Sequence, residues 1–236
     1  MSELNKLLEE MLHDQRERTH TTILCRIESY DPIEMKADLQ PLVKEYYDKS
    51  GKGEYEHVEL EPIKGASVSC IRAGEKHIIR PPYKEGDVVL AVCAERSIDE
   101  VIETGEISEQ TGRRRHSLQD ALVIGGVTTN PDPMPEEHAD DLLIAKLDGD
   151  EIKTRIVLTD EEDSILIAKG DSGGYDASIT IEENSNVDVF SKNDITAHAE
   201  GNVSVTADGN ITIAASGTLT LTGNPIVCNG CSCPDA

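Results

Sequence analysis

An eight-residue repeat near the carboxyl end constrains this chain more than any other feature. Pairs of apolar residues separated by one position recur six times, at a constant spacing of eight residues. The pairs are Ile179/Ile181, Val187/Val189, Ile195/Ala197, Val203/Val205, Ile211/Ile213 and Leu219/Leu221. Each pair predicts a short strand with both apolar side chains on one face. One octad is too short to bury anything alone, so the repeats must stack on one another.

Three chains wound together explain the octad better than one chain does. Eight residues are short for a complete coil of a single-chain β-helix, but each of three chains can supply one side of a triangular layer. The apolar pairs then form the trimer core, and the charged residues point outward. Asn or Asp directly before four of the pairs, and Gly two residues before three of them, supply the backbone conformations that sharp corners need. A single-chain solenoid and a plain β-sandwich are the alternative interpretations.

The rest of the chain divides by pattern into further segments. Residues 1–20 predict an amphipathic helix with an apolar stripe of five residues, Leu4, Leu7, Leu8, Met11 and Leu12. This helix either packs on its own domain or mediates self-association or docking on a larger assembly. About five short strands within 21–126 predict a small OB-fold-like barrel. Residues 127–141 contain three Pro and read as a linker.

The β-helix spike is expected to span residues 142–222, with irregular early strands first and regular octads over 179–222. The cysteine-containing residues 223–236 would form its tip. The whole chain is therefore predicted to be all-β apart from the first helix.

Composition excludes several classes of partner. The 236 residues carry 46 acidic and 22 basic side chains, for a net charge of −24, and only one Phe and no Trp. Binding of nucleic acid needs a basic surface and aromatic faces, so no direct nucleic-acid binding is expected. No run of 18 apolar residues occurs, and the amino terminus lacks the pattern of a signal peptide. We therefore expect synthesis in the cytoplasm.

Three cysteines, Cys228, Cys231 and Cys233, crowd the last nine residues. Thiolates at this spacing are soft ligands for iron, zinc or a cluster, and a threefold axis would bring nine of them together. Disulfides within or between chains are the main alternative; free thiols or docking of a separate tip protein are others. Cys25, Cys70 and Cys93 are interpreted as buried strand residues.

No catalytic constellation stands out, so the chain is not expected to be an enzyme. The one basic cluster, Arg113 to His116, is interpreted as a solvated loop or as an ion-pairing partner of an acidic neighbouring chain, rather than as a nucleic-acid site.

The order of these parts resembles the central spike proteins of contractile-tail phage baseplates and of related contractile injection systems. Within the barrel, the resemblance rests on Ser29-Tyr-Asp-Pro-Ile-Glu-Met-Lys-Ala-Asp-Leu-Gln-Pro and on Pro81-Pro-Tyr-Lys-Glu-Gly-Asp-Val-Val-Leu. Glu95-Arg-Ser-Ile-Asp and His116-Ser-Leu-Gln-Asp-Ala-Leu-Val-Ile-Gly-Gly look like the closing motifs of that barrel.

The resemblance implies a mechanical function. Such proteins are homotrimers at the virion tail baseplate, docked under the hub at the end of the tail tube. Sheath contraction drives the needle through the host cell envelope, and a metal ion often occupies its tip. The alternative is an OB-type module that binds a carbohydrate or a protein and is trimerised by a β-helix stalk.

Overall fold

The computed structural model describes residues 3–5, 7–8, 11–12, 19–48, 55–73, 76–109, 112–160, 163–171 and 173–223. The backbone at 3–5, 7–8 and 11–12 is helical, and its side chains are exposed. The other residues of the predicted amino-terminal helix lie outside the described part, so the whole helix stays a prediction. No helix among the described residues is long and apolar enough to cross a membrane.

A closed five-stranded barrel follows, as the sequence predicts. Its strands, in spatial order, are β1 (Thr22–Asp31), β2 (Lys36–Pro41), β5 (Ile63–Val68), β9 (Ala121–Gly126) and β8 (Val88–Cys93). Neighbouring strands are antiparallel except for β5 and β9, which are parallel. Alternate residues point inward, and twelve small or aliphatic side chains form the core.

Two cysteines belong to that core. Cys25 and Cys93 are buried, whereas Cys70 lies between two strands and is only partly buried. Burial, together with the nearby Cys93, raises the pKa of the Cys25 thiol to about 11. These two thiols therefore stay protonated at neutral pH and pack as small apolar groups.

Short elements decorate the barrel. Two hairpins, β3 (Lys44–Asp48) with β4 (Tyr55–Glu59) and β6 (Ile71–Ala73) with β7 (His77–Ile79), project from its connections. Helix α1 (Asp99–Thr104) and a 3₁₀ turn (Leu118–Asp120) lie between β8 and β9.

The chain then forms a second sheet, which is a meander of five antiparallel strands in sequence order. The strands are β10 (Leu142–Asp148), β11 (Glu151–Leu158), β12 (Ile165–Asp171), β13 (Gly174–Ile181) and β14 (Val187–Ser191). This corrects the expectation that the segment from Leu142 forms irregular early strands of a β-helix. Connections of two to six residues join the strands, and each strand pairs with its neighbour in the same chain.

Two of the predicted octads belong to this meander. Ile179 lies opposite Val189, and Ile181 lies opposite Val187, so these pairs form an antiparallel hairpin within one chain. The remaining octads are different. Residues 194–199 and 202–207 and those that follow to 223 have no strand partner within the described chain, and all of them are exposed.

Candidate assembly surface

The register of the second sheet places aliphatic side chains in two rows that cross all five strands. One row consists of Leu142, Leu158, Ile165, Ile181 and Val187. The other consists of Ile144, Ile156, Ile167, Ile179 and Val189. Positions two residues apart on a strand share a face, so both rows lie on the same side of the sheet. We call these ten residues the aliphatic face.

The aliphatic face is uncovered in a single chain. The exposed fraction of its residues runs from 38% at Ile165 to 63% at Leu142 and Val187. A sheet with one face against water normally carries polar residues on that face. The ten aliphatic side chains, with no charged residue in either row, therefore form a large exposed apolar patch, which is a typical property of interaction surfaces.

The second row continues into the octads. A groove of about 770 Å³ runs along this row, and its lining includes Ile144, Ile167 and Val189. Ile195, the first apolar residue of the next octad, lines the same groove. The meander and the octads thus present one continuous apolar surface at this point.

The opposite face of the sheet is covered, and a buried arginine fixes its cover. Arg155 on β11 is almost fully buried, and its Nη2 donates to the carbonyls of Ile152 at 2.7 Å and Gly170 at 3.1 Å. Its Nη1 donates to the carboxylate of Glu137, which lies in the predicted linker. The guanidinium carbon also lies 5.3 Å from the centroid of the Tyr175 ring. These contacts hold the linker against the sheet.

His138 extends this cluster. Its Nε2 lies 3.4 Å from Nη1 of Arg155, and its Nδ1 lies 2.7 Å from a carboxylate oxygen of Asp141. Arginine only donates, so Nε2 accepts and the proton sits on Nδ1, facing Asp141. The hydrogen bonds from His138 and from the backbone N–H of Asp160 lower the pKa of Asp141. We call Glu137, His138, Asp141 and Arg155 the linker clasp.

The predicted trimer core is only partly brought together by one chain. Ile179, Ile181, Val187 and Val189 join the aliphatic face. The other eight residues are exposed and form no strand pairing within the described chain, namely Ile195, Ala197, Val203, Val205, Ile211, Ile213, Leu219 and Leu221. The predicted metal ligands Cys228, Cys231 and Cys233 lie outside the described residues. Within the described part, no group of three or more His, Cys, Asp or Glu residues could hold a metal ion.

The basic cluster at 113–116 includes an arginine that forms ion pairs within the chain. Arg114 contacts the carboxylates of Asp99 and of the fully buried Asp120, the latter at 3.1 Å. It also donates to Ser97 Oγ at 2.6 Å. The arginine therefore ties the segment around α1 to the barrel, so its ion pairs lie within one chain, whereas the sequence interpretation had placed them between neighbouring chains.

Sequence reasoning missed two parts of this surface. Leu142/Ile144, Ile156/Leu158 and Ile165/Ile167 repeat the apolar–any–apolar pattern of the octads, but not their spacing of eight. Their shared pattern was the available signal, and the irregular spacing between the pairs concealed it. The linker clasp carried no such signal, since a single arginine in a strand reads as a surface residue.

The barrel is the part of the chain that matches a known protein family. Residues 23–126 match a family model described as Phage protein Gp138 N-terminal domain. The barrel resembles a phage protein domain. No curated protein matches the chain. The match covers the whole barrel and supports a phage baseplate- or tail-related protein with a structural role in the virion.

Proposed function

We propose that this chain is the membrane-piercing central spike of a contractile phage tail or of a related injection system. Three copies would form a trimeric needle that closes the end of the tail tube. Sheath contraction would then push the needle through the host envelope. The function is mechanical and involves no catalysis.

The observation that carries this proposal is the state of the octads in one chain. Their apolar side chains are strongly exposed, for example Val205 at 71% and Ile213 at 67%, and residues 194–199 and 202–207 pair with no strand of the described chain. Backbone groups and aliphatic side chains left in this way are satisfied when neighbouring strands cover them. An identical chain offers the same eight-residue period, so two further copies fit where an unrelated strand would not.

The barrel and the charge support the same function. The barrel matches a phage protein domain, which fits a collar that docks on hub or tube proteins above the needle. The net charge of −24 leaves the outside of the needle strongly acidic, which keeps it soluble and discourages adhesion to acidic surfaces. A metal ion, iron or zinc, held by Cys228, Cys231 and Cys233 would close the tip; a separate tip protein is the alternative closure.

Location in the particle tests this function. Antibodies against the barrel, bound to virions or injection particles that contain this chain and viewed by electron microscopy, should label the tube end on its axis. Label on side fibres, together with binding of the purified protein to a glycan array, would contradict the spike and favour the carbohydrate-binding module. Label on the capsid would contradict both.

A further inference from the structure

The second sheet and the octads differ in which hydrogen bonds a single chain can make. All strand pairings of β10–β14 join residues of one chain, so a single chain is sufficient to form this sheet. The octads from Ile195 to Leu221 have no strand pairing within the described chain. Their order therefore depends on partner chains, whereas the order of the sheet does not.

Octads alone define the alignment of three chains poorly. Successive apolar pairs are nearly interchangeable, for example Val203/Val205 and Ile211/Ile213. A chain displaced by one octad would still bury aliphatic pairs at the axis, so the energetic penalty for slippage is small. Correct assembly needs a segment without this repeat.

The second sheet has the required irregularity. The connections between its five strands contain two, six, two and five residues in chain order. Register shifts interrupt the ladders next to Lys146 and Lys169. A third row of residues borders the aliphatic face and contains these two lysines, so the face has a polar boundary on that side. In a trimer with one chain displaced along the axis, these lysines would face isoleucines of a neighbouring copy.

The aliphatic face is large enough to hold chains together. Its ten partly exposed residues present on the order of 800 Å² of accessible surface. This is the area that one partner contributes to a protein–protein interface of standard size. Copies of a chain with a charge of −24 repel one another elsewhere, but neither row of this face contains an acidic residue. The occupant that fits this face is therefore the same face of other copies, since Val189 and Ile195 connect it to the octad surface.

We propose that the β10–β14 sheet is the registration module of the trimer. Three preformed sheets pack by their aliphatic faces first, and this contact aligns the octads, which then wind together toward the tip. This inference rests on the proposed spike, because it assumes three copies. It adds the order of assembly and the surface that determines the alignment.

Two full-length variants separate the contributions of sheet and octads. Ile167→Asp places a carboxylate at the centre of the aliphatic face, and Ile211→Asp places one in an octad. Ile107→Asp is the matched control, since Ile107 is fully exposed outside both regions. Sedimentation velocity measures assembly, and hydrogen exchange of backbone amides measures order in β11–β13 and in 195–221.

We expect Ile167→Asp to raise the concentration needed for assembly at least about 100-fold, because a buried carboxylate would meet two others. Its sheet amides should stay protected while its octad amides exchange freely. Ile211→Asp should remain trimeric and lose protection only near the substitution, and Ile107→Asp should match the native protein. Ile144→Asp repeats the test on the edge strand β10. At this position an added charge should disturb the fold of the sheet least.

Other outcomes overturn the inference. If Ile167→Asp and Ile144→Asp both assemble with protected octads, the sheet does not register the chains. Dissociation of Ile211→Asp alone would assign that function to the octads. A native protein that stays monomeric contradicts the proposed spike itself, so failure of the two ideas is distinguishable.

Discussion

Arg155 is the residue on which the covered side of the second sheet depends most. It is 2% exposed, and it joins two sheet carbonyls to a linker carboxylate. Truncation would leave these carbonyls and Glu137 without their donor, in a place that water reaches poorly.

We predict that Arg155→Met lowers the free energy of unfolding by about 3 kcal/mol, the range for breaking a buried ion pair. Denaturant unfolding measures this loss. Lys153→Met is the control from the same strand, because its ion pair with Glu151 lies at the surface and should contribute little to stability. Equal losses in the two variants would show that the clasp does not hold the linker.

Asp141 makes a part of the stability dependent on pH. Hydrogen bonds from His138 and Asp160 hold its pKa below the ordinary value of 3.8. A carboxyl group whose pKa is lower in the folded state stabilises the fold above its unfolded pKa. This contribution is lost as the pH falls through the folded value.

Asp141→Asn should therefore flatten the loss of stability on acidification below about pH 4. Thermal melting at a series of pH values measures the slope. Asp150→Asn, in the exposed turn between β10 and β11, is the control and should keep the native slope. A native slope in Asp141→Asn would contradict the role of Asp141 in the clasp.

Among the elements, the β12–β13 hairpin depends on one glycine. Gly170 has φ of 140°, and a Cβ at this position would lie 2.7 Å from the carbonyl oxygen of Gly174 and from Cα of Tyr175. Both obstacles are backbone atoms, so they cannot turn away as a side chain does. The Gly170 carbonyl also accepts a hydrogen bond from Arg155, which places the glycine beside the linker clasp.

We predict that Gly170→Ala destabilises the sheet by at least about 3 kcal/mol, through steric overlap and positive φ together. Gly149→Ala is the control, because Gly149 has φ of 60° but open space around its Cα. It should cost only about 1–2 kcal/mol, the penalty for the left-handed conformation. Chemical denaturation measures the free energy of unfolding of both variants. Similar losses would show that the steric overlap at Gly170 is relieved easily.

An element could be predicted from the sequence where its pattern of residues is local, and could not be where it depends on contacts between distant residues. The barrel strands were predictable, because residues such as Val89 and Ala91 alternate with less buried ones and Pro and Gly separate the strands. The meander was not, since the apolar pairs at Ile179 and Val187 fit the octad period and give no sign of which strand pairs with which. The connection between them, residues 182–186, is as long as the connections between the later octads, so its length gives no sign of the pairing either. The clasp was invisible for a related reason, because Glu137 and Arg155 meet only after the sheet has formed.

At the scale of the whole molecule, metal binding at the predicted tip can be tested separately from trimer formation. If three chains converge beyond Leu221, their thiols Cys228, Cys231 and Cys233 meet within a small volume. We expect elemental analysis of the purified protein to find iron or zinc, and to find none after replacement of all three cysteines by serine. Metal-free native protein whose thiols are recovered only on reduction would indicate disulfides instead.

The central claim is that the aliphatic face and the octads are buried between three copies of this chain. The most direct measurement is the mass of the full-length native particle in solution, by multi-angle light scattering at several concentrations. We expect three chains per particle at every concentration, because the combined apolar surface is large and continuous. A mass of one chain at all concentrations would contradict the account.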